Sequence, residues 1–330
     1  MNWIGTCAAV VLALLGAWQP ARAQEPARKP ARVVVIPVRD TIDKPVLYII
    51  RRAVKQAIEE KADAVVLDMK TPGGSLGVTL EIMEALDRFP GKTITFVNDE
   101  ASSAGAIIAS VTDEIHFSPK ATIGAAEAIT GTGEDIGESL KRKLNSFMGA
   151  KIRAFAGEFP MRADVIKAMM EPGFEFKIGE TIIKPKDELL SLTAVEAMKT
   201  YGEPPRPLLG AGITESVEGV LKQVYADRPY SIERIQVTWA EAVAQYLNAL
   251  APLLVALGVL GLIIEFKTPG FGVIGITGIV LLAIVMFGHH VAGLSGHEPL
   301  LLLVLGLALL AAELFLWPGT LVSGLSGAAL

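Results

Sequence analysis

Cysteine and histidine are both scarce in this chain, and each scarcity excludes a chemistry. Cys7 is the one cysteine in 330 residues and lies within an apolar amino-terminal run, so no disulfide can form within the chain. Too little apolar sequence precedes Cys7 for a lipoprotein role. The histidines are His116, in the strand-like run Glu114-Ile115-His116-Phe117, and His289, His290 and His297, in or beside the hydrophobic carboxy-terminal region. None is well placed for a Ser–His–Asp machine, so a serine nucleophile here would need a lysine base. Basic blocks are missing too. With a formal net charge of −5, the composition argues against nucleic acid as a partner and leaves membranes and proteins.

What the chain has in excess is apolar sequence. Hydrophobic residues make up 51% and the mean hydropathy is +0.46, too apolar for an ordinary soluble protein, with the excess concentrated after Ala242. The amino terminus runs apolar from Trp3 to Trp18 and ends in Ala21-Arg22-Ala23, which predicts a signal peptide over residues 1–23 cut before Gln24. An uncleaved membrane anchor is the alternative, and either form exports the domain behind it.

Residues 24–237 read as one globular domain. After a Pro/Ala/Arg-rich linker to Ala31, strands are expected at Arg32–Val38, Ala64–Met69, Thr93–Val97 and Glu114–Phe117. Helices are expected between them, at Val46–Lys61, about Ser75–Phe89 and Ser103–Ser110. This alternation predicts an α/β fold with a largely parallel sheet, in which functional groups gather where strands end and helices begin. Gly124–Gly137 is rich in Gly, Ala and Thr and reads as a mobile loop; Glu138–Ala156 reads as a helix bearing Lys141, Lys143 and Lys151, a segment that can act as a lid. Phe174–Leu192 reads as a β-hairpin, and Thr193-Ala194-Val195-Glu196 as the capping box of a short helix ending near Gly202.

Residues 238–330 read as a multi-span α-helical membrane region. A second capping box, Thr238-Trp239-Ala240-Glu241, starts a helix that carries no charge from Ala242 to Ile264, long enough to span a bilayer. Residues 268–288 and 299–317 give two more candidate spans. A diverged repeat runs through them: Glu265, Pro269-Gly270, Gly275 and Gly278 answer to Glu313, Pro318-Gly319, Gly324 and Gly327. The chain stops as a further apolar segment begins, which reads as a carboxy-terminal truncation.

Two short motifs fall at strand–helix junctions. Ser103, in Ala101-Ser102-Ser103-Ala104-Gly105, opens a predicted helix, where the dipole favours developing negative charge; Ser102 is its rival, and one of the pair can be a plain N-cap. In Thr71-Pro72-Gly73-Gly74 the glycines permit close approach of backbone, so the Gly74 and Ala104 N–H groups can form an oxyanion hole; an ordinary Pro-Gly turn is the plain alternative. A lysine serves as base only if its pKa falls from about 10.4 to near 7, roughly 4 kcal/mol of bias against the ammonium, which burial supplies. Lys143 precedes Phe147, Ala150 and Ala154 at helical spacing, along an apolar face, while Lys141 points about 200° away around the same helix. Both cannot face one site.

These two motifs, with Ile123-Gly124-Ala125-Ala126 and Leu190-Ser191-Leu192-Thr193-Ala194-Val195-Glu196-Ala197, resemble the long-form NfeD family over Val33–Leu330. That resemblance implies a membrane-bound serine protease with a Clp-protease/crotonase-like domain. It places the nucleophile on Ser103, the oxyanion glycine on Gly73 or Gly74, and the base on Lys143, by its spacing to Ala150 and Arg153. Family members often carry Asp or Asn where this chain has Lys70, which puts a further amine near the site. The resemblance implies no metal or organic cofactor, a stomatin- or prohibitin-like membrane partner, and a hydrophobic peptide segment as substrate. It also implies a small OB-like barrel after the last span, which this sequence lacks; self-association into a homo-oligomer is left open. The sequence therefore predicts a Ser–Lys endopeptidase of the bacterial inner membrane, with its catalytic domain outside the cytoplasm and Lys267 facing inward. The rivals are a crotonase-like acyl-CoA enzyme and an inactive scaffold that binds a stomatin-like protein.

Overall fold

A computed structural model describes residues 29–129, 136–155, 160–267, 272–291 and 305–306. The signal peptide expected over 1–23 lies outside these residues, as does the third candidate span apart from 305–306.

Four parallel strands form the centre of the domain: β1 (Ala31–Arg39), β2 (Ala64–Thr71), β3 (Lys92–Ser102) and β4 (Glu114–Phe117). Two strands that were not anticipated extend the sheet in parallel, β12 (Tyr230–Arg234) beside β1 and β11 (Gly212–Ile213) beside β4. The order is β11-β4-β3-β2-β1-β12. Such a sheet is buried on both faces, which is why the central strands read as continuous β-branched runs. Ile36, Val38, Leu67, Met69 and Val97 point into the larger core, beneath helices α1 (Lys44–Glu59), α2 (Leu76–Asp87) and α3 (Ala104–Ser110). Val33, Val35, Val66, Ile94 and Phe96, alternating with them, meet helix α7 (Val217–Tyr225) on the other face. α1 shows how the pattern fixes a helix: Pro45 sits in its first turn, and Val46, Leu47, Ile49, Ile50, Ala53, Val54 and Ala57 bury one face.

β3 changes partner along its length. Ile94–Val97 pair with β4, whereas Glu100–Ser102 pair with β5 (Thr122–Gly124), which runs antiparallel to β8 (Ser191–Thr193). The end of β3 is thereby gripped between β2 and β5 as it leaves the sheet.

The remaining elements revise the sequence reading in places. The hairpin expected over Phe174–Leu192 is shorter, β6 (Phe176–Ile178) with β7 (Thr181–Lys184), because Ser191–Thr193 join β5 instead. The lysine-bearing helix is present as α4 (Glu138–Phe155), followed by an unanticipated α5 (Pro160–Met170). The Thr193 capping box is formed, with Glu196 accepting from the Thr193 N–H at 2.9 Å, but its helix α6 covers only Ala194–Ala197. A second short pair, β9 (Thr200–Tyr201) and β10 (Arg206–Pro207), follows it.

Beyond the sheet, α8 (Trp239–Lys267) and α9 (Val273–Val291) form an antiparallel pair. The Thr238 capping box is present here as well, and its Glu241 receives a two-pronged contact from Arg52 of α1, both distances 2.9 Å. At the far end the Glu265 carboxylate accepts the backbone N–H groups of Gly272 and Gly275, capping α9. α8 leaves Leu253, Leu257, Leu260 and Ile263 exposed. Taken over the described residues alone, no helix is long and apolar enough to cross a membrane, so the multi-span arrangement expected for 238–330 is not carried by these residues.

Candidate active site

Ser103 occupies the turn where β3 becomes α3. It has φ 53° and ψ −119°, a backbone conformation in the left-handed half of the map that a residue with a Cβ adopts only at a cost of order 1–3 kcal/mol. The surroundings impose it. Its N–H donates to the Gly124 carbonyl of β5 at 3.0 Å, its carbonyl accepts from the N–H groups of Ala106 and Ile107 at 3.0 and 3.3 Å, and every residue of α3 is buried. Ser103 takes the N-cap position of α3, yet its side chain makes no capping hydrogen bond, so the hydroxyl is not spent on the helix. Ser102 remains within β3, paired opposite Gly124.

The Thr71–Gly74 turn lies directly against this hydroxyl. A Cβ on Gly73, whose φ is +108°, would stand 2.4 Å from Ser103 Cβ and 3.0 Å from its Oγ, so only glycine fits. A Cβ on Gly74 would stand 2.2 Å from the Ile42 carbonyl oxygen. Thr71 anchors the turn from a fully buried position: its hydroxyl donates to the Asp40 carbonyl at 2.5 Å and accepts the Gly73 N–H at 3.1 Å. Ile42 ties the other side, donating to Gly73 O at 2.7 Å and accepting from Ser75 N–H at 2.8 Å. The Gly73 amide is therefore committed to Thr71. Among the described residues the Gly74 and Ala104 N–H groups have no acceptor, and these are the two amides that the sequence nominates for an oxyanion.

The lysines divide. Lys141 is nearly covered and pairs with Glu127 at 2.7 Å; Glu127 lies three residues after Gly124, on the segment that supports Ser103. Lys143, the base implied by resemblance, has an exposed side chain. The two face different ways, as the helical period requires. Lys70 projects from the sheet face opposite Met69 and Thr71, the residues that abut Gly105 at the start of α3, and pairs with Asp99 at 2.6 Å. That carboxylate raises the Lys70 pKa, the wrong direction for a base. Lys151 lies 3.9 Å from Glu84 of α2.

His116 is remote from Ser103. It is opposite Phe96 in the ladder, seven residues before Ser103 along β3, roughly 20 Å at the rise of a strand. Its Nε2 lies 3.0 Å from Glu114, which also pairs with Lys92 at 2.5 Å. The His116 contact, with help from Lys92, outweighs burial and draws the Glu114 pKa down to about 2. Among the described residues no cluster of three His, Cys, Asp or Glu side chains is placed to hold a metal.

Two buried cations escaped the sequence reading. Arg162 of α5 donates to the carbonyls of Ser110, Thr112 and Asp113, and Lys184 of β7 donates to those of Glu171, Pro172 and Phe174. No local motif distinguishes either from a surface residue.

A serine held in a strained strand-to-helix turn, against a glycine turn at the carboxyl ends of a parallel sheet, marks the candidate site of this α/β domain. A solved structure similar to this chain is a lysine-to-alanine mutant of the 1510-N membrane-bound stomatin-specific protease in complex with a substrate peptide. The TM-score is 0.53 at 18% identity, covering 67% of this chain and 99% of that one, a likeness of fold. Residues 32–205 match the family model for the NfeD1b N-terminal domain, and residues 249–330 match that for the NfeD integral membrane domain. The chain belongs to the NfeD family, and its carboxy-terminal region makes it a membrane protein. Relatives include membrane protein NfeD1b of Bacillus subtilis, 29% identical over 320 residues, covering 96% of this chain and 68% of that protein. Membrane-bound protease PH1510 of Pyrococcus horikoshii is 24% identical over 278 residues, 80% of this chain and 59% of that protein.

Proposed function

We propose that this protein is a membrane-bound serine endopeptidase in which Ser103 is the nucleophile. The observation that carries the reading is the Ser103 turn itself: a strained seryl residue whose hydroxyl caps nothing, in contact with Gly73 and beside two amides that have no acceptor among the described residues. In acyl transfer, Ser103 Oγ adds to the scissile carbonyl, the Gly74 and Ala104 N–H groups receive the oxyanion, and a neutral lysine takes the hydroxyl proton and returns it to the leaving amine. Water then releases the acyl group by the same route.

Lys143 is the base in this reading, on the strength of the family resemblance. In this reading α4 shifts or turns to bring the exposed Lys143 to Ser103, with the Lys141–Glu127 pair marking where the helix rests in this structure. The substrate is a hydrophobic segment of a membrane-associated, stomatin-like protein. Two observations favour it: the name of the PH1510-N relative, and the integral membrane domain that holds the site near a bilayer. In this reading the integral membrane domain over residues 249–330 anchors the protein in the bilayer, with residues 24–237 outside the cytoplasm and Lys267 inside. Protease added to intact spheroplasts then digests the catalytic domain; its full protection would reverse the orientation.

Labelling with a fluorophosphonate probe, combined with peptide mapping, tests the nucleophile. Modification of Ser103 is the expected result. An unlabelled protein would favour the scaffold reading, and acyl-CoA binding without labelling would favour crotonase-like chemistry.

A further inference from the structure

α3 is short for the task it performs. It must hold Ser103 in a costly conformation at one end with only seven residues, about 10 Å of helix; near its other end Ile107 O accepts the Ser110 hydroxyl, Ile108 O the Val111 N–H and Ala109 O the Thr112 N–H, which leaves the Ser110 carbonyl without a local donor. Arg162 supplies that donor and extends it to the two carbonyls just beyond the helix. Its side chain is 4% exposed, and its guanidinium donates to Ser110 O at 3.2 Å, to Thr112 O, and to Asp113 O at 3.3 Å, closing the carboxyl end of α3.

The opposite end of α5 reaches the second support of Ser103. Met169 O accepts the Ala126 N–H at 2.7 Å, Ala168 O accepts the Leu190 N–H at 3.1 Å, and Leu190 O accepts the Ala125 N–H at 2.9 Å. These contacts fix the 124–126 segment, whose Gly124 carbonyl receives the Ser103 N–H. α5 is thus a strut that joins the far end of the nucleophile's helix to the strand holding the nucleophile's backbone. Burial of the Arg162 guanidinium pushes its pKa down to about 10, a penalty that a solvent-exposed cap would avoid.

We infer that Arg162 is a positioning residue for Ser103, acting through α3 and the 124–126 segment to hold the hydroxyl in its attacking geometry. This rests on Ser103 being the nucleophile. A geometric role predicts a defect in the reaction rate of Ser103 and not in substrate affinity, since a displacement near 1 Å at a nucleophile costs up to about a hundredfold.

The test compares the full-length wild type with Arg162→Met and Arg162→Lys in detergent, at a temperature where circular dichroism shows each fully folded. Second-order labelling of Ser103 by a fluorophosphonate is measured alongside kcat and KM on a hydrophobic peptide. Arg162→Met should label about tenfold more slowly, with kcat reduced and KM unchanged, and Arg162→Lys, which still donates to carbonyls, should lose about threefold. Wild-type labelling of the folded Arg162→Met protein, or a change confined to KM, overturns the inference. If Arg162→Met does not fold, Arg162→Lys decides: a folded protein labelled at the wild-type rate overturns it. A wild type that is not labelled at Ser103 sinks the nucleophile reading, and this one with it.

Discussion

The two halves of the proposed site are built to different tolerances. The nucleophile half consists of backbone: β3 clasped by β2 and β5, the Thr71–Gly74 turn tied to Asp40 and Ile42, and a wholly buried α3. The base half is α4, which buries only Met148 and Ile152 among its described residues and is tied to the domain by side-chain ion pairs, Lys141–Glu127 and Lys151–Glu84. Backbone bonds in a buried sheet open only with the domain, whereas an exposed ion pair such as Lys151–Glu84 contributes about 0–1 kcal/mol. On the proposed reading, the nucleophile is preorganised and the base is delivered.

The largest effect belongs to the rigid half. Ser103→Ala should lower hydrolysis by at least about 10³-fold and abolish phosphonate labelling, with melting unchanged, because the substitution removes one oxygen that caps nothing. Ser102→Ala should stay within a few-fold. Exchange of these two outcomes in a kinetic assay would move the nucleophile by one residue.

The next effect tests delivery. Lys143→Ala should cost about 10²–10⁴ in kcat, whereas Lys141→Ala and Lys70→Ala retain most activity. Wild-type activity should rise toward alkaline pH, since only the neutral amine accepts the serine proton. The same measurement on Glu127→Gln sharpens the contrast: weakening the Lys141 anchor should raise or lower turnover by a few-fold without slowing phosphonate labelling of Ser103. A Lys141→Ala protein that is dead while Lys143→Ala is active would assign the base to the amine paired with Glu127.

Gly73→Ala probes the rigid half by steric means. The new Cβ would lie 2.4 Å from Ser103 Cβ at a φ of +108°, so the turn and the nucleophile must separate. Turnover should fall about a hundredfold and stability by about 1–3 kcal/mol. Labelling and thermal unfolding measure the two losses separately; an alanine variant of normal rate would show that Gly73 and Ser103 do not share a rigid frame.

The same contrast explains what could be read from the sequence. The strands and first helices announce themselves through β-branched runs and the apolar face of α1, and Ser103 and Gly73 through short motifs at strand ends. Ser103's position at a strand–helix junction is encoded locally, although its backbone conformation is also held by Gly124 of β5. β11, β12 and β8 escaped because two- to five-residue strands acquire their identity from the partner they pair with. Arg162 escaped because its significance lies in carbonyls about fifty residues away. The facing of Lys141 and Lys143 was legible only as an opposition: the period separates them, but which one turns inward depends on Glu127, supplied by a separate loop.

The smallest effect lies at the other end of the rigid half, where Lys92, Glu114 and His116 meet at the amino ends of the strands. Glu114 has its pKa lowered from 4.5 to about 2, chiefly by the His116 contact and then by Lys92. A carboxyl whose pKa is depressed on folding contributes stability that is complete above its unfolded value, and that contribution is lost as pH falls from 4.5 through about 2. Glu114→Gln removes this linkage, so denaturant titrations between pH 6 and 2 should show a shallower acid decline than the wild type, with the deficit largest at pH 6. Because Glu114 is opposite Ile94, roughly 30 Å from Ser103 along β3, phosphonate labelling at neutral pH should remain within about twofold. A large loss of labelling in a fully folded Glu114→Gln protein would mean that the nucleophile half transmits strain along its whole length, and that its rigidity is a property of the entire sheet and not of the Ser103 turn and its struts.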